Sequence, residues 1–115
     1  MIVTVSSFNS WRIIILRGKF IVKNLALIRS HFEQAGQTQL PSIAIDMSGV
    51  SQLDSSAITL LVNFQRRVIQ KDGLLVLFGL RSDIAEIFSI VGLDKMFRIC
   101  STRNEFETQY ASTSV

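Results

Sequence analysis

Asp54, Ser55 and Ser56 put an acid and two hydroxyls side by side where the sequence passes from the apolar run "SIAID" and a polar stretch into a helical pattern. Two kinds of chemistry suit that triplet. Oxygens of Asp54 or Ser55 can accept from the backbone N–H groups that the first turn of a helix leaves unpaired, which is ordinary capping. A serine held at such a point is also exposed and conformationally fixed, so a kinase can reach it. A phosphate there would meet a helix dipole and free N–H groups that favour negative charge. Asp46, at the end of "SIAID", and Asp54 would oppose the phosphate by like-charge repulsion.

The residues beyond the triplet extend the candidate surface. Ile58 and Val62 lie one turn apart on a flank of the helix that need not face the core, with Thr59 and Arg66 on the polar side. Ser55 is the candidate modified residue and Ser56 the alternative. Asp46, Asp54, Ser56, Ile58, Thr59, Val62 and Arg66 form the candidate partner-contacting set. The competing reading of Ile58 and Val62 is that a neighbouring helix covers them.

Catalysis has no support in the sequence. There is no Gly-x-Ser-x-Gly elbow, no Gly-rich loop followed by Lys and Ser or Thr, and no histidine placed by motif to act as a base on Ser55. His31 is the sole histidine and has no Cys, Asp or Glu pair at ligand spacing, so no metal or cofactor is expected. Cys100 is alone and reads as a small buried hydrophobe.

Composition narrows the partners. The net charge of +3 is spread along the chain, with Arg66 and Arg67 the nearest thing to a cluster, and direct nucleic-acid binding calls for a denser basic stripe. Apolar residues make up 48% of the sequence, but no run approaches the roughly 18 residues of a membrane span, so no membrane insertion is expected. Residues 1–10 alternate apolar with small polar residues and do not resemble a secretory signal, which makes the cytoplasm the expected location.

The 115 residues suit one domain with a core large enough to fold without disulfides or metal. Residues 2–7 and 11–17 read as two strands joined at Asn9-Ser10, with Gly18 ending the second. From Val22 to about Gln34, Leu25, Ile28, Phe32 and Ala35 recur at helical spacing, and Gly36 reads as the stop. Pro41 introduces the buried strand "SIAID", which Asp46 closes. The next helix turns Ala57, Leu60, Leu61, Phe64 and Val68 inward and ends near Asp72-Gly73, before the strand "LLVLFG". A further helix carries Ile84, Ile87, Phe88 and Val91 inward, with Gly92 at its left-handed end. "FRIC" is a last strand, residues 104–110 a last short helix, and residues 111–115 a disordered tail. This order predicts an α/β domain over residues 1–110. Its sheet is mixed and mostly parallel, its first strand is peripheral, and its helices lie mainly on one face.

"DMSGVSQLDSSAITLLV" resembles the signature of STAS domains, the sulfate-transporter and anti-sigma-factor-antagonist family. "LRGKF" and "IAEIFSIVGLDKMFRI" are similar to other stretches of that family, in the same order and at similar separations. The resemblance implies a bacterial, cytoplasmic anti-sigma factor antagonist that acts in transcription regulation by partner switching. Unphosphorylated at Ser55, such a protein binds an anti-sigma factor that is also a serine kinase; phosphorylated, it lets go, and a serine phosphatase resets it. It further implies a monomer or weak dimer. The alternative within the family is a non-enzymatic subunit or scaffold of a lipid transporter or stress-sensing complex. Two residues depart from the pattern: Ala57 stands where the family usually has Gly, and Ile21 where many antagonists carry an aspartate near the phosphorylation site.

Overall fold

The computed structural model describes residues 1–37 and 42–111. Pro41 and residues 112–115 of the expected tail lie outside the described residues. β1 (Ile2–Phe8) and β2 (Trp11–Phe20) form a hairpin whose turn holds Asn9 at φ 54°. A positive φ at the first turn residue matches the twist of the two strands, and asparagine tolerates it. A 3₁₀ turn (Val22–Asn24) leads into α1 (Leu25–Gly36), followed by β3 (Ser42–Leu53), α2 (Ser55–Gln70) and β4 (Leu74–Phe78). Then come α3 (Ser82–Val91), a second 3₁₀ turn (Leu93–Lys95), β5 (Arg98–Cys100) and α4 (Arg103–Phe106), whose last turn widens over Glu107–Ala111.

The strand order is β1-β2-β3-β4-β5, with β1 antiparallel to β2 and every other neighbour parallel. This is the mixed, mostly parallel sheet expected from the element order, with β1 at an edge. α1, α2 and α3 cover one face. Their buried residues Ile28, Phe32, Phe64 and Phe88 join Ile14, Leu16, Ile43, Ile45 and Leu77 of the strands in the main core. The opposite face carries a smaller cluster of Trp11, Ile13, Ala44, Val76, Phe78 and Cys100, closed by Phe106 of α4. Trp11 meets Phe106 edge-on at 5.0 Å between ring centroids, and Phe78 stacks on Phe106 at 5.2 Å. A lone short helix suffices there because those rings bury a large apolar area.

The predicted helix faces hold with one exception. Ala57, Leu60, Leu61, Phe64 and Val68 are all buried, as are Ile28, Phe32 and Ala35, while Leu25 and Ile87 are half-buried. Val91 is 55% exposed, because α3 ends there and Gly92, at φ 82°, turns the chain away. Gly36 is the last residue of α1 and its carbonyl accepts from Lys71 Nζ, which ties the ends of α1 and α2 together.

Two strand ends lie further along the chain than their sequence signals. β2 passes through Gly18 to Phe20, and β3 passes through Asp46 to Leu53, so the polar stretch before Asp54 is strand. The two pair beyond Asp46, from Arg17↔Gly49 to Phe20↔Leu53, across register shifts at Ile15/Arg17 and Gly18/Lys19. Each shift inserts an extra residue in β3, which breaks the alternation by which a strand is recognised. Gly18 adopts φ 122° at the second shift, and a Cβ on Gly49 would come within 2.9 Å of the Leu16 carbonyl oxygen. The glycines therefore allow the pairing that their type first argued against.

Candidate functional site

The extended β2 and β3 deliver the chain to the start of α2. Phe20 and Leu53 are the last paired residues, and the Asp54 N–H donates to the Phe20 carbonyl at 3.3 Å. Asp54 is extended at φ −116° and ψ 178°, and its Oδ1 accepts from the Ala57 N–H at 3.0 Å, the bond of an N-cap residue. Its Oδ2 accepts from the Val22 N–H at 2.8 Å. One carboxylate thus closes the first turn of α2 and holds the segment between β2 and α1 against it. These N–H groups, Ala57 first and Val22 next, lower the Asp54 pKa below its ordinary value, so the group is charged at neutral pH.

Asp54 takes the capping role, which leaves Ser55 as the first helical residue. Ser55 is exposed, and its hydroxyl has no hydrogen-bond partner among the described residues, while its carbonyl accepts from Thr59 Oγ1 at 3.1 Å. At about 100° per residue, Ser55, Thr59, Val62 and Arg66 run along the outward crest of α2. Thr59 and Arg66 are exposed and Val62 is half-buried. Ile58 is half-buried and packs with Val62 against the main core.

Ser56 points elsewhere. It is half-buried and lines a groove of about 400 Å³ between α1 and α2, with Leu25, Arg29, Glu33, Thr59, Leu60, Asn63 and Arg67. Ser55 is not part of that lining. The two serines are therefore presented in different directions, one outward and one toward α1.

Asp46 stands apart from the triplet. It pairs with Ile15 and Phe78 in mid-sheet, and its Oδ1 accepts from the Ser48 N–H at 2.9 Å and the Ser48 hydroxyl at 2.6 Å. That places its carboxylate at the first bulge of β3, where it holds the extra residue. Among the described residues, Asp46 and Asp54 have no hydrogen-bond partner in common.

A STAS-domain family model matches residues 3–106. The chain belongs to the STAS family. No curated protein sequence matches this STAS chain. Solved structures do, among them several at low identity. A candidate anti-sigma factor antagonist of Thermotoga maritima is 18% identical with a TM-score of 0.86, covering 93% of this chain and 92% of that one. An anti-sigma factor antagonist of Mycobacterium paratuberculosis is 18% identical with a TM-score of 0.84, covering 93% and 91%. The anti-sigma factor antagonist SpoIIAA in its unphosphorylated form is 17% identical with a TM-score of 0.76, covering 93% and 95%. At these identities the structures establish the STAS fold.

In the STAS framework of this chain, Ile21 occupies a telling place. It is half-buried and extended, directly before Val22, whose N–H Asp54 holds. Ile21, where the resemblance led to an expected acid, therefore borders the Asp54 clamp and adds no charge there. Val22, Arg29, Asn63 and Arg67 were missed in the sequence. Thr59, Asn63 and Arg67 do follow one another at four-residue steps along α2, a spacing that could have marked the groove; Val22 acts through its backbone N–H, which no side-chain pattern reveals.

Proposed function

We propose that this STAS protein is an anti-sigma factor antagonist that works by partner switching through Ser55. The observation that carries the reading is the division of labour at the start of α2: Asp54 supplies the cap, and the Ser55 hydroxyl is left outward and unengaged. A residue needed for the cap could not change its chemistry without loosening the helix. Ser55 is under no such constraint.

In this reading the unphosphorylated crest of α2, with Ser55, Thr59, Val62 and Arg66 and the adjoining Ile58, binds an anti-sigma factor serine kinase. The kinase transfers the γ-phosphoryl group of ATP to Ser55 Oγ. The new O–P bond replaces the bond to ADP, and the hydroxyl proton leaves to a base on the kinase. The product carries about two negative charges at the start of α2. Asp54, already ionised beside it, repels the phosphate, and the partner surface that had accepted a neutral hydroxyl now meets a doubly charged group. Binding weakens while the fold persists, and a serine phosphatase restores the first state. SpoIIAA, which shares the fold, has been solved in unphosphorylated and phosphorylated forms, which supports a modification of this kind on this scaffold.

Ile21 favours a second reading. Without an acid beside the Asp54 clamp, a STAS role that needs no phosphorylation, as a subunit or scaffold of a lipid transporter or stress-sensing complex, gains weight. Pull-down from native lysate with intact-mass measurement of the recovered chain separates the two. A kinase-type anti-sigma factor together with a chain of which a fraction is heavier by one phosphate supports partner switching; a transporter ATPase or permease with unmodified chain supports the second reading.

A further inference from the structure

The groove between α1 and α2 is edged by cations without acid partners. Arg29 lines it from α1 and Arg67 from α2, and both are exposed. Among the described residues the ion pairs are Arg81–Asp83 and Arg103–Glu107, so neither groove arginine is neutralised by one. Glu33 is the one acid among the described lining residues; it stands one turn beyond Arg29 and pairs with neither arginine. Asp54, at the start of α2, has both carboxylate oxygens committed, to the Ala57 and Val22 N–H groups. The Arg67 guanidinium lies 5.9 Å over the Phe64 ring, a contact that steadies it and leaves its charge intact.

The form of the groove selects the occupant. Its floor is Leu25 and the buried Leu60, while Arg29, Thr59, Asn63 and Arg67 form an exposed rim. A small-molecule site encloses most of its ligand, and an open trough with such a rim does not. The occupant is therefore carried by a macromolecule that covers the rim. A nucleic acid would bring phosphates against Glu33 and find no aromatic ring in the lining to stack on. A polypeptide suits every group. An apolar side chain fits Leu25 and Leu60, carboxylates fit the paired N–H donors of the guanidiniums, and backbone N–H groups can donate to Glu33.

Thr59 joins the groove to the crest of α2. It lies in the lining, and its hydroxyl donates to the Ser55 carbonyl at 3.1 Å. Ser56, also in the lining, follows Ser55 directly. A segment seated in the groove therefore borders the turn that carries Ser55.

We infer that the α1–α2 groove receives an acidic segment of the protein partner, with carboxylates on Arg29 and Arg67 and an apolar side chain on Leu25 and Leu60. The inference rests on the reading of the α2 crest as a partner surface and adds a cause of release to it. A phosphate on Ser55 sets about two negative charges beside the partner's own carboxylates, and like charges brought together at an interface cost affinity.

NMR titration of the labelled chain with a defined probe tests the groove by itself. The probe is an amphipathic peptide of leucine, alanine and glutamate, about 15 residues long so that it can be helical, and its twin carries lysine for every glutamate. The glutamate peptide is expected to shift the amide signals of Arg29, Ser56, Asn63 and Arg67 and to bind at least about tenfold more tightly than its twin, a preference that shrinks with added salt. Arg29→Glu combined with Arg67→Glu should reverse the preference while circular dichroism shows the variant folded. No shift at those amides at millimolar peptide, equal binding of the twins, or an unreversed preference would overturn the inference. An anti-sigma factor kinase recovered by the pull-down separates this inference from the reading beneath it. Full affinity for the double variant, where Ser55→Glu binds weakly, would overturn the groove and leave Ser55 standing; lost affinity for the double variant, with indifference to Ser55→Glu, would do the reverse.

Discussion

The Val22 N–H donates to Asp54 Oδ2 at 2.8 Å across 32 positions of sequence, so the start of α2 and the segment after β2 share one carboxylate. The other oxygen of that carboxylate caps α2 through Ala57. Any substitution of Asp54 therefore acts on a cap and a long-range tie at once.

Asp54→Ala is expected to lower the thermal midpoint more than Ser55→Ala does. Asp54→Asn should fall between them, because an amide oxygen still caps well but its NH₂ cannot accept from Val22. Thermal denaturation followed by circular dichroism checks the order; equal midpoints for Asp54→Ala and Ser55→Ala would show that the carboxylate holds nothing.

The lowered pKa of Asp54 fixes the sign of a pH effect. A group with a lower pKa folded than unfolded contributes stability above its unfolded value, near the ordinary 3.8, and that contribution is lost as pH falls through the folded value. Urea midpoints measured from neutral to strongly acid pH should therefore fall more steeply for wild type than for Asp54→Asn. A parallel fall would assign the acid sensitivity to other groups.

Ser55→Ala should fold within about 0.5 kcal/mol of wild type, bind a kinase-type partner and resist phosphorylation. Ser55→Glu should fold and bind more weakly by about tenfold, because a carboxylate carries only part of a phosphate's charge. Ser56→Ala should remain a substrate. Incubation with the partner kinase and ATP, followed by peptide mass spectrometry and titration, decides; phosphate on Ser56 would reverse the assignment and place the modification in the α1–α2 groove.

Ile58→Arg tests the flank. Because Ile58 is half-buried against the core, the substitution is expected to cost about 1–2 kcal/mol of stability as well as partner affinity. Arg66→Glu, at an exposed crest position, should weaken binding while changing stability by less than about 0.5 kcal/mol. Titration alongside urea unfolding separates the two effects, and undiminished binding by both variants would remove the crest of α2 from the interface.

Ile21→Asp restores an acid beside the Asp54 clamp. If that acid assists the transfer to Ser55, the rate of phosphorylation should rise by about tenfold or more, within the usual contribution of a placed acid or base. Single-turnover kinetics with the kinase measure it. An unchanged rate would mean that Ile21 is no handicap.

Much of this was already present in the one-dimensional pattern. The five inward residues of α2, from Ala57 to Val68, follow from helical periodicity, which needs only residues within four positions of one another. Gly92 at a left-handed helix end follows equally from local chemistry, since glycine adopts positive φ without a steric penalty. The element order sufficed for a mixed α/β sheet with β1 outside. Only the tertiary structure decided where β2 and β3 end, because pairing across bulges depends on a strand 30 or so residues away and hides the alternation on which strand reading depends. Only it separated the roles of Asp54 and Ser55. Either could have capped α2, and what selected Asp54 was the N–H of Val22, brought to its second oxygen by the pairing of Phe20 with Leu53.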